Sequence, residues 1–197
     1  EIETTGAFLQ GIFGIGGECW ACLHVLANAP DHVLKPDQID NQCKNKIIVG
    51  GGLITLDVIH RAIEVGATGI LGGGIRDGDL RNLLGHDLGV AITGAESIGL
   101  TVILTEGFGE IAMARKTFDI LKENNGKEAS ISGATQIRAG VLRPEIIIPN
   151  PAAKPTPQSA EIQIGLSIGA QVRAIRTPFF GRIGTVTALP PKLQSLE

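Results

Sequence analysis

The sequence has no tyrosine, one tryptophan, one methionine and six phenylalanines in 197 residues, so aromatics make up only 4% of it. A core with so few rings has to be assembled from Ile, Leu, Val and Ala, and a hydrophobic content of 43% suffices for that. Long apolar runs are also missing. A membrane-spanning helix takes about 20 consecutive apolar residues, and no stretch comes near that length. No basic segment followed by an apolar one marks a secretory signal. Charge of one sign is not in excess either: a net charge of −3 argues against nucleic-acid binding by the chain as a whole. The three cysteines are odd in number and make no disulfide framework, which points to a reducing, cytoplasmic setting.

Glycine and proline are present in quantity, 27 and 10 residues, and they punctuate the chain. Residues 3–15 and 19–27 read as two strands joined by the turn Gly14-Ile15-Gly16-Gly17, forming an N-terminal β region over 1–30. Residues 31–45 are polar and irregular. From 45 to 148 strands alternate with helices. Ile47-Ile48-Val49 is a buried-type strand, followed by Gly50-Gly51-Gly52. Thr55 opens a helix with Leu56, Ile59, Ala62 and Ile63 at helical spacing, and Gly66 ends it. A strand over 69–71 leads into Gly72-Gly73-Gly74, after which Asp77 caps a short helix closed by Gly85. Strands are expected over 88–93, 100–105, 128–132 and 145–148, and a helix over 110–123. This alternation predicts an α/β domain with a mixed sheet and some parallel pairing.

Four prolines in residues 149–157 can continue neither a helix nor a central strand, so 149–160 reads as an extended linker. Beyond it, 161–197 reads as β only. In this stretch Arg173, Arg176, Arg182 and Lys192 outnumber Glu161 and Glu197. The chain starts at Glu1 inside a β-like run and ends at Glu197 with the last β module incomplete, which predicts a piece of a longer protein.

Three groups of residues are candidates for chemistry. Gly50, Gly51, Gly52, Gly72, Gly73 and Gly74 lie between strands and helices, where backbone amides can cradle a phosphate or carboxylate. They match neither a P-loop nor a dinucleotide fingerprint, so no cofactor is expected. The plainer reading is that they make tight turns and close packing. Glu106 and Gly107 end a strand in front of a helix, a place where α/β proteins put functional groups; the plainer reading is an acidic helix start. Cys19, Cys22, His24 and Cys43 include a Cys-x-x-Cys and supply the number of ligands a zinc site needs. A regular strand, however, sends Cys19 and Cys22 to opposite faces, so no metal site is expected. His86-Asp87 reads as a loop, and Arg138 and Arg143 either bind an anion or pair with Glu128 and Glu145. No catalytic set of residues can be assembled.

The segment 172–186, with Gly181, Gly184 and Val186 after a basic strand, resembles a KOW motif. The resemblance implies a small SH3-like barrel that binds protein or RNA, with Arg173, Arg176, Phe179, Phe180 and Arg182 as the contacting residues. The body of the chain resembles conserved bacterial α/β proteins and implies nothing catalytic. Two functions follow as expectations. One is a non-catalytic binding or scaffolding protein that presents a KOW-like module to a protein or RNA partner. The other is an enzyme or sensor holding a phosphorylated or carboxylate metabolite at the glycines. No membrane partner is expected.

Overall fold

The computed structural model describes residues 5–85, 98–135, 142–150, 168–173 and 183–189. The chain divides into two compact units, Glu1–Lys154 and Pro155–Glu197. The first holds strands β1 (Gly6–Gln10), β2 (Phe13–Ile15), β3 (Glu18–Val25), β4 (Lys46–Val49), β5 (Leu53–Ile54), β6 (Gly69–Ile75), β7 (Thr101–Phe108), β8 (Glu128–Ser132) and β9 (Glu145–Pro149). Helices α1 (Leu56–Val65), α2 (Asp77–Leu84) and α3 (Arg115–Glu123) lie between them. The class is α/β with a mixed sheet. Among the described residues no helix is long and apolar enough to cross a membrane.

All nine strands belong to one sheet, in the order β1-β9-β8-β3-β4-β6-β7-β2, with β5 added alongside β6. The β3/β4, β4/β6 and β6/β7 pairs are parallel. The remaining pairs on the path are antiparallel. The N-terminal strands are therefore part of the α/β sheet. They also form no hairpin at residues 14–17: β2 pairs with β7, and β3 pairs with β8 and β4.

The chain over 6–15 closes this sheet. β1 and β2 are separated only by Gly11 and Ile12, yet they pair with opposite ends of the strand order. At the break the Gly11 amide donates to Pro144 O (2.8 Å) and the next amide, of Ile12, donates to Leu104 O (2.8 Å). Neighbouring amides thus serve the two ends of the strand order, and the 6–15 segment closes the sheet into a barrel. The closure is fastened by the buried Thr135, whose Oγ1 accepts from the Gly14 amide at 2.8 Å and lies 3.1 Å from Gly14 O. A side chain at Gly133 would meet Ile15 O at 2.4 Å, so this crossing admits only glycine.

Strand alternation fills the inside and part of the outside. Leu23, Ile47, Leu71, Ile103, Ile131, Ile146 and Ile148 pack in one cluster with Phe118 and Leu121 of α3. The alternate residues Ile48, Ile70, Val102 and Leu104 pack with Val58, Ile59 and Ala62 of α1 and Leu80 of α2. Among the described residues α1 and α2 cover the outer face of the β4-β6-β7-β2 half of the barrel, while α3 packs with the inner cluster and meets β3. α1 ends as its sequence dictates: Gly66 sits at φ 76°, the Gly66 amide donates to Ile63 O (3.0 Å), and the Ala67 amide donates to Ala62 O (2.9 Å).

Three boundaries differ from the local reading. β6 runs straight through Gly72-Gly73-Gly74 to Ile75, so this triplet is strand and not turn. β7 likewise includes Glu106 and Gly107. α3 starts at Arg115 and not near Glu110, because the amides of a first turn are already engaged. The Met113 amide donates to Pro30 O (2.9 Å) and Gly51 O (3.1 Å), and the Ala114 amide donates to Glu106 Oε1 (2.8 Å). The strand expected over 88–93 lies outside the described residues. β9 extends to Pro149, and the Asn150 amide still donates to Thr5 O (2.7 Å).

In the second unit β10 (Gln171–Arg173) pairs antiparallel with β11 (Ile183–Thr185), Val172 opposite Gly184. Two bonds extend the ladder, Gly169 N to Val186 O (2.8 Å) and Val186 N to Ala170 O (2.9 Å).

Candidate functional site at the carboxyl ends of the parallel strands

Ligands of α/β proteins gather at the carboxyl ends of parallel strands, and the structure brings all eight candidate ligand-binding residues to that place. Gly50, Gly51 and Gly52 follow β4. Gly72, Gly73 and Gly74 lie in β6. Glu106 and Gly107 lie in β7, where a bulge shifts the register: Gly72 pairs with Leu104, but Gly74 pairs with Gly107. Such a bulge re-aims side chains, and Glu106 is 6% exposed, the only buried carboxylate among the described residues.

Four of the amides that an anion would use are bonded within the protein. Gly50 N donates to Leu71 O (2.8 Å), Gly52 N to His32 O (2.9 Å), Gly73 N to Gly52 O (2.8 Å) and Gly74 N to Gly52 O (3.3 Å). Backbone also occupies the space above the glycines. A Cβ at Gly51 would lie 2.2 Å from Ala29 O, at Gly73 2.1 Å from Ile111 O, and at Gly74 2.4 Å from Gly109 O. Four stretches of main chain (29–32, 50–54, 72–74 and 107–114) meet here in direct contact at Gly51, Gly73 and Gly74. Neither triplet opens a helix: β5 separates Gly52 from α1, and Ile75 and Arg76 separate Gly74 from α2. Glu106 Oε1 accepts from the Ala114 amide at 2.8 Å, which fixes the approach to α3. Thr105 Oγ1 donates to Gly72 O (3.3 Å). The residues that complete this junction, Ala29 to His32 and Ile111 to Ala114, carry no local signal, because they act through main-chain atoms far away in sequence.

The cysteine and histidine candidates are not brought together. β3 alternation places Cys22 and His24 on the outer face and Cys19 on the inner one, where its thiol lies 3.7 Å from Thr68 O. Burial raises the Cys19 and Cys43 thiols above their ordinary values. Partial burial, then the nearby Lys46, lowers the His24 imidazole. Among the described residues no three His, Cys, Asp or Glu side chains are placed to hold a metal ion.

Arg173 lies in β10, with Gly184 of the KOW-like pattern in β11. Arg176, Phe179, Phe180 and Arg182 lie outside the described residues, as do His86, Asp87 and Arg138. Arg143 is exposed beside β9. No family model matches this chain, no curated protein is similar to it, and no solved structure matches its fold.

Proposed function

We propose that this chain is a non-catalytic binding or scaffolding protein, in which a closed α/β unit carries a KOW-like, SH3-like module on a proline-rich spacer and presents it to a protein or RNA partner. One observation carries this reading. The glycines that look like a metabolite site are packed against main chain of other segments of the first unit, and the buried Glu106 ties one carboxylate oxygen to the Ala114 amide. The Arg- and Phe-bearing segment 173–182 of the second unit has a composition that suits stacking and phosphate or carboxylate contacts. The antiparallel β10/β11 pair, with Gly184 in its second strand, supports an all-β reading of that unit.

The test uses the full chain. One variant carries Arg173→Ala, Arg176→Ala and Arg182→Ala, and another carries Phe179→Ala and Phe180→Ala. Fluorescence anisotropy with single-stranded and hairpin RNA, at two salt concentrations, is set beside affinity capture of protein partners. Loss of binding in both variants, with unchanged circular dichroism, is the expected result. Undiminished binding of every partner by both variants would sink the proposal. A melting temperature raised by a phosphorylated or carboxylate metabolite would move the function to the glycines instead.

A further inference from the structure

On the outer face of β1, β9, β8 and β3, where no helix packs among the described residues, two exposed rings share one row. The registers Phe8↔Ile147, Ile147↔Ser130 and Ser130↔Trp20 place these four residues side by side across β1, β9, β8 and β3. All four point away from the inner cluster, which takes their neighbours Ala7, Leu9, Ile146, Ile148, Ala129, Ile131, Ala21 and Cys19. Phe8 is 55% exposed and Trp20 is 54% exposed. Three inter-strand steps of about 4.8 Å put them about 14 Å apart, with Ile147 and the small Ser130 between. In a chain so poor in aromatics, two large rings on one solvated face mark an interaction surface.

The charges around the row define the partner. Glu145 and Glu18 lie one residue pair to one side, in the row Gln10-Glu145-Ser132-Glu18, and Glu128 lies to the other, opposite Cys22. Among the described residues none of these three carboxylates is in an ion pair. The same face carries Lys46, next to Cys22 at the β4 boundary, and His24 beyond it. Three carboxylates flank the apolar centre, with Lys46 and the exposed Arg143 at its margins, and this excess of negative charge favours an apolar segment flanked by cations over nucleic-acid phosphates. We infer that the outer face of β1, β9, β8 and β3 is a docking surface for a protein segment in which aromatic or aliphatic side chains alternate with Lys or Arg. This surface belongs to residues of the first unit, so its test is independent of the function proposed above.

Trp20 is the only tryptophan and there is no tyrosine, so intrinsic fluorescence reads this face directly. The full chain is titrated with a strand-length peptide alternating Lys and Phe, and with counterparts alternating Glu and Phe or Lys and Ala. The Lys/Phe peptide should shift Trp20 emission to the blue and shield it from acrylamide, while both counterparts bind at least about tenfold more weakly. Glu128→Lys with Glu145→Lys should weaken Lys/Phe binding about tenfold, and the wild-type affinity should fall with added salt. Phe8→Ser, read with a labelled peptide, separates loss of the surface from loss of the reporter, and circular dichroism checks the fold of each variant. Equal response to the Glu/Phe peptide, or no response to Lys/Phe, overturns the proposal. A blue shift that grows with protein concentration alone, matched by dimers in sedimentation, assigns the face to a second copy and also overturns it.

Discussion

Replacing Gly73 by alanine separates a packing glycine from a ligand-approach glycine. Its Cβ would sit 2.1 Å from Ile111 O, 2.8 Å from Met113 N and 2.9 Å from Ala112 C, all of them main-chain atoms with no flexible end to swing aside. Reaching an ordinary 3.4 Å contact requires the 111–113 segment to retreat by about 1.3 Å. That stretches the Met113 amide away from Pro30 O (2.9 Å) and Gly51 O (3.1 Å). Overpacking costs about 1–3 kcal/mol, and each lost hydrogen bond adds about 1 kcal/mol. Against this, alanine restricts the unfolded chain and returns about 0.4–1 kcal/mol. The net loss is about 3 kcal/mol, or about 10 °C in melting temperature for a chain of this size. Urea unfolding followed by Trp20 fluorescence and far-ultraviolet circular dichroism measures it. Gly17→Ala is the control, since nothing lies within 4 Å of a Cβ there. If Gly73→Ala is no more destabilising than Gly17→Ala, the packing argument fails and the glycines regain their claim to a ligand.

Thr135→Val removes both hydroxyl contacts with Gly14 at the barrel closure and should cost about 1–3 kcal/mol in urea unfolding, with Thr135→Ser recovering most of it. Gly66→Ala places a side chain at φ 76° and should lower stability by about 1 kcal/mol, measured the same way. The Cys19 and Cys43 thiols are held protonated in the fold by burial. Unfolded thiols ionise near pH 8.5, so the stabilisation is complete below that and is lost as pH rises through the higher folded values. Unfolding free energies measured from about pH 7 to 10 should fall over that range, and Cys43→Ala should flatten the fall.

The parts of this fold that are legible in the sequence are those that short-range physics decides. The α1 stripe of Ile59 and Ala62 with its Gly66 stop, the Gly85 end of α2, and the spans of β4, β8 and β9 depend on residues a few positions apart. The opposite facing of Cys19 and Cys22 follows from the period of a strand. The start of α3 was not legible, because it depends on Glu106, Pro30 and Gly51 taking the amides of a would-be first turn. The hairpin suggested at residues 14–17 fails for a related reason. A glycine-rich turn permits a reversal but does not choose the partner strand, and β2 gains more at the open edge of β7 and beside Thr135.

The sequence by itself determined that this is an α/β chain of aliphatic core, punctuated by glycine, and it singled out the eight residues that meet at the strand ends. Only the tertiary structure decided what they meet. A glycine has the same local signature whether it turns the chain, admits a ligand or admits another backbone, and here the oxygens of Ala29, Gly109 and Ile111 fill the space. The closure of the sheet was likewise beyond local pattern. It rests on two consecutive amides, of Gly11 and Ile12, bonding to strands that lie far apart in the chain. The scarcity of aromatics is the one sequence feature whose meaning the structure enlarges: the single tryptophan is not in the core but exposed on the outer face of β3, in the same row as Phe8.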